Sequence, residues 1–307
     1  MDKAQFLKNL SVPAGKIDVV LDTDAYNEID DQFAIAYMLR CREKLNVKGF
    51  CAAPFSGNNR CEDDPAYGME KSYEELKKII TLEGSTEFLD KIYRGSERYL
   101  PDEKTPVESE AARFMADLAN GYSPERPLYI VAIGAITNVA SAILMNPAMK
   151  ENTVIVWLGG NALHWMDNNE FNLRQDVAAA RIIFGCGVPF VQLPCCGVVD
   201  KFTVSKPELE YWLKGKNALS EYLAQNTIDE AESYAAGKPW TRVIWDVTAV
   251  AWLMNDGGRF MADTLMHSPI PEYDNRYAED LRRHFYTYVY KINRDTLFGE
   301  LFSRLTK

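Results

Sequence analysis

Five short apolar runs limit what this 307-residue chain can fold into: Ile17–Leu21, Val47–Ala52, Leu128–Ile133, Val154–Leu158 and Pro189–Leu193. Most are rich in Val and Ile and lack strict apolar/polar alternation, as expected of strands covered on both faces. Helical patterns separate several of them. Asp31–Arg42 follows the first run and Ala66–Thr81 the second; Glu108–Leu118 precedes the third; Thr137–Met145 and Arg174–Phe184 follow the third and fourth. Gly185 stands where a helix C-cap glycine is expected. A βαβ series with right-handed crossovers predicts an α/β fold, with a mostly parallel central sheet flanked by helices. After Cys196 the pattern is mainly helical, over Pro207–Lys214, Ser220–Ala235 and Val247–Leu253. A late strand, His284–Ile292, and a terminal helix, Asp295–Leu305, follow. The polar, proline-containing stretch from about Gly84 to Pro106 reads as a surface excursion. With no linker, internal repeat or low-complexity tract, a single domain over residues 1–307 is expected.

The chain is 47% hydrophobic and 25% charged, ordinary for a globular protein able to bury a sizeable core. Its net charge of −10 argues against nucleic acid or an anionic membrane as partner, since both reward clustered Lys and Arg. No apolar run approaches the roughly 20 residues that span a bilayer. The N-terminus, MDKAQFLKNLSVPAGK, lacks the apolar core of a signal peptide, so a cytoplasmic location is expected. Six cysteines without repeated CxxC pairing argue against a zinc site. Cys51 and Cys186 read as buried thiols and the Cys195-Cys196 pair as loop packing.

In open parallel sheets, ligands bind outside the carboxyl ends of the strands. After the first run come Asp22, Asp24, Asp30 and Asp31, four aspartates within ten residues. After the second come Gly57-Asn58-Asn59, after the third Gly134 to Asn138, and after the fourth Gly159-Gly160-Asn161 and Glu170-Phe171-Asn172. Polar groups thus gather at one sheet edge. So many like charges repel unless something positive sits among them, and a hard divalent cation with oxygen ligands answers that need. An EF-hand is excluded: starting at Asp22, the loop would place Tyr26 at the fifth position and Phe33 at the twelfth. Aspartyl-phosphate chemistry is an alternative. Helix capping by Asp30 and Asp31 explains one of the pair and leaves Asp22 and Asp24 without a role. Asn58 has a turn-forming alternative, and helix N-capping is the main direct role expected of Thr137-Asn138. Glu170 and Asn172 flank Phe171, so in an extended segment both face one side. Asp246, between Trp245 and Val247, would be costly if buried unpaired, and a metal relieves that cost.

On these residues the chain resembles the inosine–uridine preferring nucleoside hydrolase family. That family carries a DxDxxxDD signature after its first strand; here two extra residues separate the pairs Asp22/Asp24 and Asp30/Asp31. Ser56-Gly57-Asn58, Ile133 to Asn138, Leu158-Gly159-Gly160, Glu170-Phe171-Asn172 and Asp246 follow in the family's order. The resemblance spans about residues 17 to 255. It implies that Asp24, Asp31 and Asp246, with the backbone carbonyl of Ile133, bind Ca²⁺, and that Asp24 is the general base for the attacking water. It also implies that Asp30, Asn58, Glu170 and Asn172 hydrogen-bond a ribose, and that the protein forms homo-oligomers, dimers or tetramers. The implied activity is Ca²⁺-dependent hydrolysis of the N-glycosidic bond of ribonucleosides, within nucleoside metabolism and base salvage. Carboxylates around the ring would stabilise an oxocarbenium-like transition state.

Two departures bear on the leaving base. Many family members place a histidine just before the last metal aspartate, where this chain has Trp245; their His-Gly segment is replaced by Tyr93-Arg94-Gly95-Ser96. Trp245 as a stacking surface or as core packing, and Tyr26 or His164 as a donor, are the alternatives. Asn161, His164 and Asn168 all compete for one remaining sugar contact. The altered region also motivates two other readings: a sugar-binding protein that keeps Ca²⁺ without turnover, and a hydrolase of a non-nucleoside ribosyl compound. Base recognition rests on loops, so the sequence does not name the base.

Overall fold

Alternate residues of the first strand enter opposite apolar layers: Val19 and Leu21 on one side, Val20 on the other. The computed structural model describes residues 1–307. Its strands are β1 Ile17–Thr23, β2 Leu45–Ala52, β3 Ile92–Arg94, β4 Leu128–Ala132, β5 Thr153–Leu158, β6 Phe190–Leu193, β7 Thr203–Ser205, β8 Thr241–Val243, β9 Met261–His267, β10 Ile270–Pro271, β11 Tyr277–Ala278 and β12 Phe285–Ile292. Its helices are α1 Lys3–Asn9, α2 Asp31–Leu39, α3 Pro65–Glu83, α4 Glu110–Leu118, α5 Thr137–Met145, α6 Met149–Asn152, α7 Phe171–Gln175, α8 Val177–Gly185, α9 Lys206–Trp212, α10 Ala218–Ala235, α11 Val247–Leu253 and α12 Arg294–Leu305.

Eight strands form one sheet in the order β3-β2-β1-β4-β5-β6-β12-β9, parallel except for the last pairing. The mostly parallel sheet flanked by helices is the one the sequence pattern leads to. Residues of α2, α3, α11 and α12 join the apolar layer on one face, and residues of α4, α5 and α8 the layer on the other. Both faces of β1, β4 and β5 are therefore buried, which is why their sequences do not alternate. From β1 the chain winds outward through β2 and β3, then crosses to β4 on the other side. The carboxyl ends of β1 and β4 thus flank the topological switch point, where such sheets open a crevice.

Several expectations need correction. The stretch from Gly84 to Pro106 is not a mere surface excursion: it contains a 3₁₀ turn, Thr86–Lys91, and the edge strand β3, and Ser96 within it is fully buried. Arg174–Phe184 is two helices, α7 and α8, broken at Asp176, whose carboxylate caps the second by accepting from Ala179 N. Gly185 is the last residue of α8, and Gly187 takes the left-handed conformation with φ of 80°. Thr137 and Asn138 do not cap α5. The Thr137 hydroxyl donates to Asp176 Oδ2 at 2.7 Å; the Asn138 amide donates to Asp22 Oδ1 at 2.8 Å and accepts from Ser96 N at 2.7 Å. Asn138 thereby ties β1 to the segment after β3.

Candidate active site

β1 ends at Thr23 and α2 begins at Asp31, so Asp24 and Asp30 lie in the turn between them, with Asp22 at the end of the strand and Asp31 at the start of the helix. Asp22, Asp24, Asp30, Asp31 and Asp246 are all buried. Asp30 and Asp246 occupy the N-cap positions of α2 and α11, and two helix N-termini therefore face the same place. Asp30 does not close its own helix; its Oδ2 accepts Asp246 N at 3.2 Å and so locks the two helix starts together. Thr23 Oγ1 donates to Asp31 Oδ1 at 2.5 Å. Asp30, Asp31 and Asp246 each offer an oxygen, and these oxygens lie within 4.8 Å of one another. Asp24 is not part of that closest triple, but it lines the same cavity.

Electrostatics test whether a cation fits. Burial, then Asp31 and other neighbouring carboxylates, push Asp24 well above the usual carboxylate range. Asp246 is raised by burial and by Asp30, Asp31 and Asp24; Asp30 by burial, Glu28 and Asp31. Burial raises Asp31 to about 6 against the hydrogen bond from Thr23, and Asp22 to about 7 against that from Asn138. Asp24 Oδ2 is buried with no hydrogen-bond partner. Leaving such a group unsatisfied is costly, and an oxygen-seeking cation among these carboxylates removes both penalties. The donor set, all hard oxygens, fits a divalent metal ion.

A cavity of about 210 Å³ opens over this cluster. Its walls are Asp24, Asn27, Glu28, Asp30, Asp31, Ile133, Leu158, Asn161, Asn169, Glu170, Phe171, Asn172, Cys195, Cys196, Trp245 and Asp246. A larger hollow of about 690 Å³ beside Tyr93 and Phe114 is an open, mainly apolar surface groove. Glycine geometry sets the floor: a Cβ on Gly134 would lie 2.9 Å from the Asp24 carboxyl carbon. Trp157 Nε1 donates to Gly134 O at 3.0 Å and fixes that turn.

Glu170 and Asn172 share the cavity wall, but not through an extended segment. Glu170 is the N-cap of α7, and its carboxylate accepts from Asn172 N at 2.9 Å, Leu173 N at 2.9 Å and Gly160 N at 2.8 Å. Burial raises its pKa, and these three donors oppose the rise. Asn172 Nδ2 donates to Ile133 O at 3.2 Å and Leu158 O at 3.0 Å, bridging the ends of β4 and β5.

Three named side chains are engaged outside the cavity wall. Asn58 holds its own turn: Oδ1 accepts from Arg60 N and Cys61 N, and Nδ2 donates to Asn27 Oδ1 at 2.5 Å. Tyr26 lies under Arg60 and Lys71, 5.4 and 5.9 Å from its ring centre. His164 is exposed, close to Gly197. Of Asn161, His164 and Asn168, only Asn161 lines the cavity; Asn168 stands behind it and accepts Asn161 N at 2.8 Å. Sequence reasoning missed Asn27 and Glu28, although they lie in the enlarged first loop, and it assigned Cys195 and Cys196 to packing when both line the cavity. It also missed the loop's anchors. Arg60 donates to the carbonyls of Tyr26 and Glu28 at 2.9 Å, and Arg242 pairs with Glu28 at 2.7 Å.

The model of the inosine-uridine preferring nucleoside hydrolases matches residues 19–277, most of the chain. The chain belongs to that family. Curated relatives include a probable uridine nucleosidase 2 of Arabidopsis thaliana, 25% identical over 135 residues, 43% of this chain and 41% of that protein. A pyrimidine-specific ribonucleoside hydrolase of Salmonella paratyphi A is 27% identical over 155 residues, 48% of this chain and 49% of its own length. The matched segment thus spans less than half of these relatives. Among solved structures, a plant nucleoside hydrolase superposes with a TM-score of 0.75 at 18% identity, covering 96% of this chain and 99% of that one. That likeness is one of fold. Family members are metal-dependent, and the buried aspartate cluster is where this chain can meet that requirement. No helix is long and apolar enough to cross a membrane.

Proposed function

We propose that the protein is a Ca²⁺-dependent ribonucleoside N-ribohydrolase, releasing ribose and a free base. The observation that carries this reading is the convergence, in one cavity at the sheet's switch point, of the aspartate cluster with Glu170 and Asn172. Asp24, Asp31, Asp246 and the carbonyl of Ile133 would hold the ion, with Asp30 completing the acidic cage. When bound, Ca²⁺ would make a water more acidic and offer coordination to vicinal hydroxyls.

Asp24 is the general base: with one carboxylate oxygen on the ion, the other, without a protein partner, would take a proton from the attacking water. Glu170 is held rigid by three backbone N–H groups, so its negative charge is fixed beside the sugar and needs no reorganisation as positive charge develops there. Asn172 and Asn161 orient the ribose from the ends of β4 and β5, and Asp30 accepts from a sugar hydroxyl. The base points toward the rim, where Trp245 lies. Asp24→Ala, assayed on a chromogenic ribonucleoside with circular dichroism as a check of folding, should abolish turnover; undiminished turnover in a folded variant would remove Asp24 from the mechanism.

A further inference from the structure

Behind the cavity wall lies a second set of polar groups. The turn Gly159-Gly160-Asn161 after β5 presents Asn161 to the cavity, and its Gly160 N–H holds the Glu170 carboxylate at 2.8 Å. The turn has no helix or strand hydrogen bonds to fix it, and Gly160 stands in the left-handed region with φ of 72°. A Cβ on Gly160 would collide with the Tyr277 hydroxyl and lie 2.9 Å from Asn168 Oδ1 and 3.0 Å from Gln192 Nε2. Side chains from a hairpin, a loop and a strand thus close on one glycine, and none of them lines the cavity.

These side chains are bonded to the turn and to each other. Gln192, fully buried on β6, donates to Gly159 O at 2.9 Å and to the Tyr277 hydroxyl at 2.9 Å, and accepts from the Tyr286 hydroxyl at 3.2 Å. Both hydrogens of its amide are therefore used. Asn168, also buried, accepts Asn161 N at 2.8 Å, while its own N–H donates to Asn275 O at 2.7 Å. Asn275 and Tyr277 belong to the β10–β11 hairpin. That hairpin is held from the far side, where Arg181 donates to Pro271 O at 2.7 Å and pairs with Glu272 at 3.0 Å. Burial pushes the Tyr277 phenol up, so it stays an O–H. A buried polar network is costly unless its bonds are well made, and a well-made one fixes geometry more closely than apolar packing does. Resting on the proposed hydrolase reading, we infer that Tyr277 is a positioning residue: with Gln192 it fixes the Gly160 turn, and through that turn the places of Asn161 and of the Glu170 carboxylate beside the sugar.

Tyr277→Phe removes one hydroxyl and keeps the ring that packs against Phe184. The variant is assayed with Ca²⁺ on a ribonucleoside and on 4-nitrophenyl β-D-ribofuranoside, which shares the sugar but has a leaving group that needs no proton. kcat/KM should fall about tenfold, and by the same factor on both substrates, because the disturbance is at the sugar. Tyr277→Phe is then repeated in Asn161→Ala and in Glu170→Gln. Where the hydroxyl acts through either residue, its loss in that background should shrink to less than about threefold. A merely structural role would give the full loss in every background. Full loss in both backgrounds, a loss confined to one substrate, or unchanged kcat/KM in Tyr277→Phe would overturn the inference and leave the hydrolase reading intact. Should Tyr277→Phe not fold, Asn168→Ala enters the same comparisons with the same outcomes. No turnover of either substrate by the wild type would overturn both.

Discussion

The floor and the rim of the cavity are built on different principles. The floor is made at the ends of β1, β4 and β5 and at the starts of α2, α7 and α11, and almost every polar group there is buried. Its carboxylates are positioned by backbone N–H groups and by one another. The rim is made of the loop from Ala25 to Ile29, Trp245 and the segment around Asn169, and it is anchored by long side chains, Arg60 and Arg242. The floor therefore suits a constant requirement, a cation and a sugar. The rim suits a variable one, the base, because a loop pinned by a few side chains changes without disturbing the sheet.

If this division holds, the floor should be intolerant and the rim tunable. The largest effect is expected from Asp24→Asn, which keeps the shape but removes the base: a loss of about 10³-fold in kcat with folding retained. Glu170→Ala comes next. It strands three buried N–H donors and should cost about 3 kcal/mol of stability in denaturant titrations as well as most activity. A variant as stable as the wild type would mean that these bonds do not hold α7.

The stability of the cation-free protein should depend on pH. In the unfolded chain aspartates titrate near 3.9, whereas burial raises Asp31 to about 6 and Asp22 to about 7. Between those values the cation-free folded protein keeps protons that the unfolded chain has shed. Its stability is therefore greatest at the acid end of that window and falls as pH rises through 6 and 7. A bound cation replaces the protons and should flatten the slope. Melting temperature measured from pH 5 to pH 8, with chelator and with Ca²⁺, checks this; a chelated protein that gains stability over that range would contradict it.

At the rim, Trp245→Ala should raise KM about tenfold and, because the partly buried ring also packs against the apolar core, cost about 2 kcal/mol of stability. The smallest effect is expected from Asn58→Ala. It removes turn and loop hydrogen bonds on a partly exposed segment and should cost about 1 kcal/mol, with activity altered only through the mobility of Asn27.

The same division governs how much was legible in the sequence. Strands buried on both faces announce themselves, and β1, β2, β4, β5 and β6 lie within about two residues of the apolar runs. The edge strands β3 and β9 do not. β3 is three residues long, and β9, reading MADTLMH, is half exposed and carries no apolar run. The acidic floor residues were legible because their density after one strand has no cheap structural explanation. Glu170 was found, but its helix-capping geometry was not, since α7 is only five residues long. The roles of Arg60 and Arg242 were hidden because a surface arginine and a loop-anchoring arginine look alike until the chain is folded. Tyr26 and His164 were drawn in by proximity in sequence to the site, and neither lines the cavity.

The most direct measurement is hydrolysis of a ribonucleoside panel by protein stripped with a chelator and then resupplied with Ca²⁺. The expected result is no turnover after stripping and recovery on adding the ion, with free base and ribose as products. Turnover that persists undiminished after complete removal of the ion would contradict the assignment of the aspartate cluster as a metal-dependent ribohydrolase centre.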